Sequence, residues 1–242
     1  MTIDWTVTAV YNTIMSVSVG VALLLIINFL KKLRAKKVNH LDGWAIAFGI
    51  LGFILTATGL HMTLTWPLSK IGFPFDDIIF GEPTLAFGLM LLGVAILMWR
   101  KDNQFHRDAG IDTSDSKRIS EAFLDQVNGL IKPLAWFGAA MGLACIAIAI
   151  AGVRFQLFAA PPEEPISGLL ADYPIVEAIF ISALYAIIGI GAICFPFALK
   201  EKPSKGVLKT IGGCMRIGGF AFLVFGVMNY FTHIGLIVNT MD

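Results

Sequence analysis

Six long apolar stretches separated by charged connections constrain this chain more than any other feature. They lie near residues 5–30, 44–65, 82–99, 134–153, 175–199 and 210–236. Each matches the roughly 20 residues, at about 1.5 Å apiece, that a helix needs to cross a hydrocarbon core. With 57% hydrophobic residues, 14% charged residues and a mean hydropathy of +0.78, the chain is too apolar for a soluble domain of 242 residues. Lipid offers the backbone no water, so each stretch must satisfy its own amides as a helix. The expected fold is an all-α, polytopic six-helix transmembrane bundle forming one domain over 1–242.

Charge placement orients the bundle. Sixteen of the eighteen Lys and Arg fall in or beside the connections after spans one, three and five, and only Lys70 and Arg154 fall on the opposite side. The positive-inside rule then puts both termini outside and three connections inside. Trp44, Trp99 and Trp136 mark the inner interface and Trp5 and Trp66 the outer one. The positive cluster follows the first apolar run rather than preceding it, which describes an uncleaved span and not a signal peptide. A net charge of +1 and the lack of a basic block interleaved with aromatics exclude a nucleic-acid groove. Cys145, Cys194 and Cys214 all sit in apolar runs, so no disulfide framework is expected.

Two connections carry their own pattern. In the inner one, Ser114, Asp115 and Ser116 can cap a helix over about 116–131, where Ile119, Phe123, Val127 and Leu130 recur at helical spacing. This reads as an amphipathic helix on the inner membrane surface. The outer connection from Phe155 to Pro174 contains Pro161, Pro162, Glu163, Glu164 and Pro165 and reads as exposed and extended.

A faint repeat relates the spans. Span two runs from Trp44 to Gly59-Leu60-His61, span four from Trp136 to Gly152-Val153-Arg154, and span six from Arg216 to Gly226-Val227-Met228. The odd spans open with Gly81-Glu82-Pro83, with Tyr173-Pro174 and Glu177, and with Tyr11-Asn12-Thr13. The units are spans 2–3, 4–5 and a permuted 6–1, giving an approximate threefold repeat of helical hairpins. Gly52 to Gly59 and Gly219 to Gly226 share a seven-residue spacing, which marks one equivalent face on spans two and six. Close helix packing is the commoner use of such glycines.

Counting from the inner interface at about 1.5 Å per residue places His61, His233 and Glu82 at a similar depth, roughly 26 Å out. Arg154 and Glu177 lie near the same layer. Ionisable groups inside spans are costly and usually face a bundle interior, water or one another. Two histidines and one or two carboxylates form a donor set that borderline divalent transition metals favour. The leading expectation is therefore a metal or cation site of His61, His233, Glu82 and Glu177, with Arg154 adjusting charge, used for ion or metal uptake, passage or sensing. Histidine protonation should weaken metal binding below about pH 6. The alternative is a b-type haem electron-transfer protein, with His61 and His233 as axial ligands and Arg154 on a propionate. Gly49, Gly52, Gly59, Gly218, Gly219 and Gly226 would then admit the macrocycle. A third reading is a structural subunit without cofactor.

No phosphate-binding Gly-rich loop, H-E-x-x-H, G-x-S-x-G or Cys-x-x-Cys occurs. Asp76-Asp77 reads as a solvated pair in an outer loop, and Pro196 as a kink in span five. The expected partners are the lipid bilayer and a small ion, metal or haem, with no nucleic acid and with homo-oligomerisation left open. Gly59-Leu60-His61 and Phe80-Gly81-Glu82-Pro83, set in this span pattern, resemble an uncharacterised prokaryotic family of six-span integral membrane proteins. The resemblance covers the whole chain through its spans. It implies the fold class and a multi-pass protein of the prokaryotic cytoplasmic membrane, and it lends no functional residue.

Overall fold

A computed structural model describes residues 11–65, 74–107, 115–127 and 129–241. Trp5, Trp66, Lys70 and Ser114, used above for orientation and capping, lie outside the described residues, as do residues 5–10 of the first expected span. The helices are α1 (Asn12–Arg34), α2 (Asp42–Thr65), α3 (Pro74–Arg107), α4 (Ser116–Val127), α5 (Lys132–Phe155), α6 (Pro174–Ala198) and α7 (Lys205–Thr240). All but α4 are long and apolar enough to cross a membrane. No strand occurs among the described residues. Helices α3 and α7 extend past the apolar stretches at 82–99 and 210–236, because hydropathy marks only the part that faces lipid while the backbone ladder continues beyond it.

The tightest helix pairs are α2 with α3, α5 with α6, and α7 with α1. These are the three pairings 2–3, 4–5 and 6–1. One device closes all of them: glycines let the backbones approach where lipid supplies no hydrophobic drive between helices. A Cβ at Gly59 would lie 2.5 Å from Leu85 N, one at Gly20 would lie 2.5 Å from Leu223 N, and one at Gly142 would lie 2.8 Å from Gly189 O. The shared seven-residue spacing has this use. Gly52 and Gly59 meet α3, and Gly219 and Gly226 meet α1.

Looser contacts join α1 to α2, α3 to α5, and α6 to α7. The spanning helices thus form a closed ring in the order α1, α2, α3, α5, α6, α7. Large apolar side chains such as Ile46, Phe53, Leu143, Ile150, Phe220 and Ile234 cover the outside of the ring, where a bilayer accommodates them.

Helix α4 forms at Ser116–Val127, within the 116–131 expected for the amphipathic helix. It docks under the ring, with Ile119, Phe123 and Val127 buried and the Phe123 ring edge-on to Phe29 at 5.9 Å. The α1–α2 connection supplies the fit. Ser120 Oγ accepts from Val38 N at 3.2 Å, Ser116 Oγ donates to Asn39 Oδ1 at 2.6 Å, and Lys36 Nζ donates to Glu121 Oε1 at 2.5 Å. An apolar stripe predicts a buried face without saying whether lipid or protein covers it, and here Phe29, Leu33 and Val38 do so.

Candidate functional site

The ring encloses a cavity of about 720 Å³, within the roughly 300–1,000 Å³ range of small-molecule sites. Helical spacing explains its lining. Ser16, Val19, Leu23, Ile26, Leu30 and Leu33 recur every three or four residues on α1, and Glu177, Ile181, Tyr185 and Ile188 do so on α6. Toward the inner end the lining is wholly apolar, with Phe29, Leu33, Leu97, Phe123, Val127 and Met215 among its members. The outer half holds Asn12, Asp76, Glu164, Glu177, Asn229 and His233. The cavity is therefore polar at one end only.

Its outer half is shaped by two irregular segments. Helix α3 begins with a π-helical turn at Asp77–Gly81. π-turns disturb the regular ladder and recur at functional sites. Here the carbonyl of Ile79 accepts from Tyr185 Oη of α6 at 2.7 Å, a buried bond across the ring. Phe158 stacks on Tyr185, with centroids 5.8 Å apart and planes at 17°.

Phe158 belongs to the second segment, the outer connection, which is folded rather than exposed and extended. Gln156 takes a left-handed conformation (φ 52°) that ends α5 and turns the chain inward. Ala160 N then donates to Glu177 Oε2 at 2.8 Å. At Ile166 (φ 68°, ψ −66°) the chain makes a γ-turn, closed by Ser167 N to Pro165 O at 2.8 Å. Pro165 seats on Gly235 of α7, where a Cβ would collide with the proline ring. This brings Glu164 Oε1 to 3.6 Å from His233 Nε2, and Asn239 Nδ2 donates to the Glu163 carbonyl at 2.8 Å. Glu164 is buried as a result. Proline-rich sequence is compatible with turns as well as with extension, and the pocket at Gly235 decides between them.

Of the residues expected in the site, Glu177 and His233 both line the cavity, with His233 beside Glu164. His61 does not line it; its Nδ1 lies 3.4 Å from Tyr11 Oη, with the rings edge-on. Glu82 is half-buried outside the lining. Arg154 is exposed, with its guanidinium 5.7 Å from the Phe155 ring centroid. The glycines proposed to admit a macrocycle are absent from the lining. Among the described residues, no three His, Cys, Asp or Glu side chains are gathered closely enough to hold one metal ion. Asp76 lines the cavity and Asp77 is buried, so the pair is not solvated as the sequence suggested.

Asn229, Glu164 and Tyr185 were not assigned to the site from sequence. Asn229 is only 2% exposed and lines the cavity. Its four-residue spacing from His233 was a usable signal, because that spacing places both on one helix face. Glu164 and Tyr185 carried no comparable local pattern.

Six apolar helices closed around a chamber that is polar at one end define a multi-pass integral membrane protein with an internal cavity. The sequence pattern of a family described as a protein of unknown function, DUF981, matches residues 7–235, and the chain belongs to that family. No curated protein and no solved structure matches it.

Proposed function

We propose that the outer half of the cavity binds a cationic ligand, held by Glu164, Glu177 and Asp76 with His233 and Asn229 beside them, in the service of uptake, passage or sensing. The observation that carries this reading is that three carboxylates line one cavity within a ring of apolar helices. Ionisable side chains at such positions are retained for a partner, because burying them without one is costly. Their spread around the cavity suits an organic cation, whose charge several acceptors can share, better than a bare ion requiring a compact ligand set. A divalent metal is the second reading, favoured by the approach of His233 to Glu164.

Calorimetric titration of the purified protein with butylamine and, separately, with zinc tests both. Butylamine binding that is lost in Glu164→Gln and Glu177→Gln but retained in Glu82→Gln supports the first. Zinc binding that needs His233 and not His61 supports the second. Binding of neither ligand refutes the cation site and leaves a structural subunit.

A further inference from the structure

We infer that the ligand is an amphiphile with a cationic head, whose hydrocarbon chain lies along the apolar inner part of the cavity and which enters from the bilayer between α3 and α5. The inference rests on the cationic site and adds the chemical class of its occupant and the route of entry. Three observations carry it.

The first is the shape of the polarity. From Ser16 to Leu33 along α1 the lining descends about 26 Å at about 1.5 Å per residue. A small hydrophilic cation would use only the outer few ångströms of such a chamber. The remainder offers no hydrogen bond to water, and water enters a cavity only where polar partners hold it. A hydrocarbon chain matches that surface.

The second is Asn229, whose carboxamide is buried on the lining of the chamber, one helical turn from His233. Its place beside His233 and the carboxylates suits a head group that offers both charge and hydrogen bonds. An ammonium, with several N–H donors, can reach a carboxylate and the Asn229 carbonyl together.

The third is the seam between α3 and α5. Unlike the glycine-locked pairs, it is loose, and the cavity lining follows it through half-buried Phe87, Met90, Val94 and Leu97 on α3 and Leu134 and Met141 on α5. Where the helices touch, the space beside Gly138 is met by the Met90 thioether at 3.5 Å. Methionine is unbranched and adaptable, so it can yield to a passing chain. The two helices are joined through the long inner connection containing α4, and no short loop ties them together.

The experiment uses the full chain in phosphatidylcholine nanodiscs and dodecylamine carrying a diazirine at its methyl end. Photolabelling followed by peptide mapping should mark inner-cavity residues such as Phe29, Leu97 and Val127, and unlabelled dodecylamine and butylamine should both suppress the signal. Labelling confined to the lipid-facing Ile96, Leu143 and Ile150, with butylamine still binding, would overturn the amphiphile and leave the cationic site standing. Interior labelling that an alcohol of equal length reproduces, and that butylamine does not suppress, would refute the cationic site instead. Entry is tested with Gly138→Phe, a position where an added Cβ meets only the flexible Met90 side chain. Its interior labelling should slow about tenfold, equivalent to about 1.4 kcal/mol of barrier, with butylamine affinity unchanged. An unchanged labelling rate would overturn the α3–α5 route.

Discussion

Gly59→Ala offers the most direct test of how the bundle is held together. The added methyl would lie 2.5 Å from Leu85 N, 2.8 Å from Leu85 Cα and 2.9 Å from Gly81 O. Carbon contacts settle near 3.5–4.0 Å, so α2 and α3 must separate by about 1 Å. Both obstructing groups are backbone, which no side-chain rotation can move. Such overpacking costs about 1–3 kcal/mol, and a gap of about 1 Å forfeits up to half of each dispersion contact along the seam. Alanine's better helix propensity recovers at most about 1 kcal/mol, leaving a net loss of about 1–2 kcal/mol. Gly93→Ala is the matched control, on the facing helix with nothing within 4 Å of its Cβ. It should be neutral or slightly stabilising. Reversible unfolding in mixed micelles, titrated with dodecyl sulfate, compares the two variants. If Gly59→Ala proves as stable as Gly93→Ala, glycine-mediated approach is not what holds the hairpins.

Tyr185→Phe removes the donor to the Ile79 carbonyl across the ring, and the same unfolding assay should register a loss of about 0.6–1.7 kcal/mol, as for other interhelical bonds in membranes. Ile166→Gly should stabilise, because a β-branched residue at φ 68° carries about 1–3 kcal/mol of strain that glycine does not, and this side chain is half exposed and gives up little packing. A net gain of about 1 kcal/mol is expected after glycine's greater unfolded-state entropy is counted. At the inner surface, Lys36 holds the Glu121 carboxyl below its ordinary 4.5, chiefly through their hydrogen bond. A depressed folded-state value means the tie is intact at neutral pH and is lost as pH falls from that ordinary value through the lowered one. Protease cleavage next to α4 should therefore accelerate on acidification in the wild-type protein, and Glu121→Gln should flatten that dependence. Arg154→Gln should change stability by less than about 1 kcal/mol, since an exposed cation–π contact contributes no more.

The fold was readable because it depends on quantities that a sequence records directly. Span length and glycines seven residues apart both follow from a straight helix in lipid, and they lead to the ring through Gly52, Gly59, Gly219 and Gly226. The candidate site was half readable. Depth along a helix is counted in residues, and Glu177 and His233 were found that way. Rotation about the helix axis is not, and the same counting grouped them with His61 and Glu82, which line no part of the cavity. Glu164 was hidden for another reason. Its burial depends on the γ-turn at Ile166 and on Pro165 fitting Gly235, a contact across 70 residues that no local pattern records. Tyr185 bonds a carbonyl on a different hairpin, that of Ile79, whose i+4 partner in an α-helix would be Pro83, a residue without an N–H.

The pairing of α1 with α7 bears on how the protein is made. Helix α1 leaves the ribosome first among the described spans, yet the groove at Gly20 finds its partner only with the last. About 170 residues separate Arg34 from Lys205, which at about 5–20 residues per second amounts to on the order of 10–30 s of synthesis. Through that interval α1 is held only by its looser contacts with α2 and α4, and the ring is an open crescent. The proposed amphiphile can meet the nascent chamber before α7 shuts it, so a first occupant can be acquired during biogenesis as well as through the α3–α5 seam.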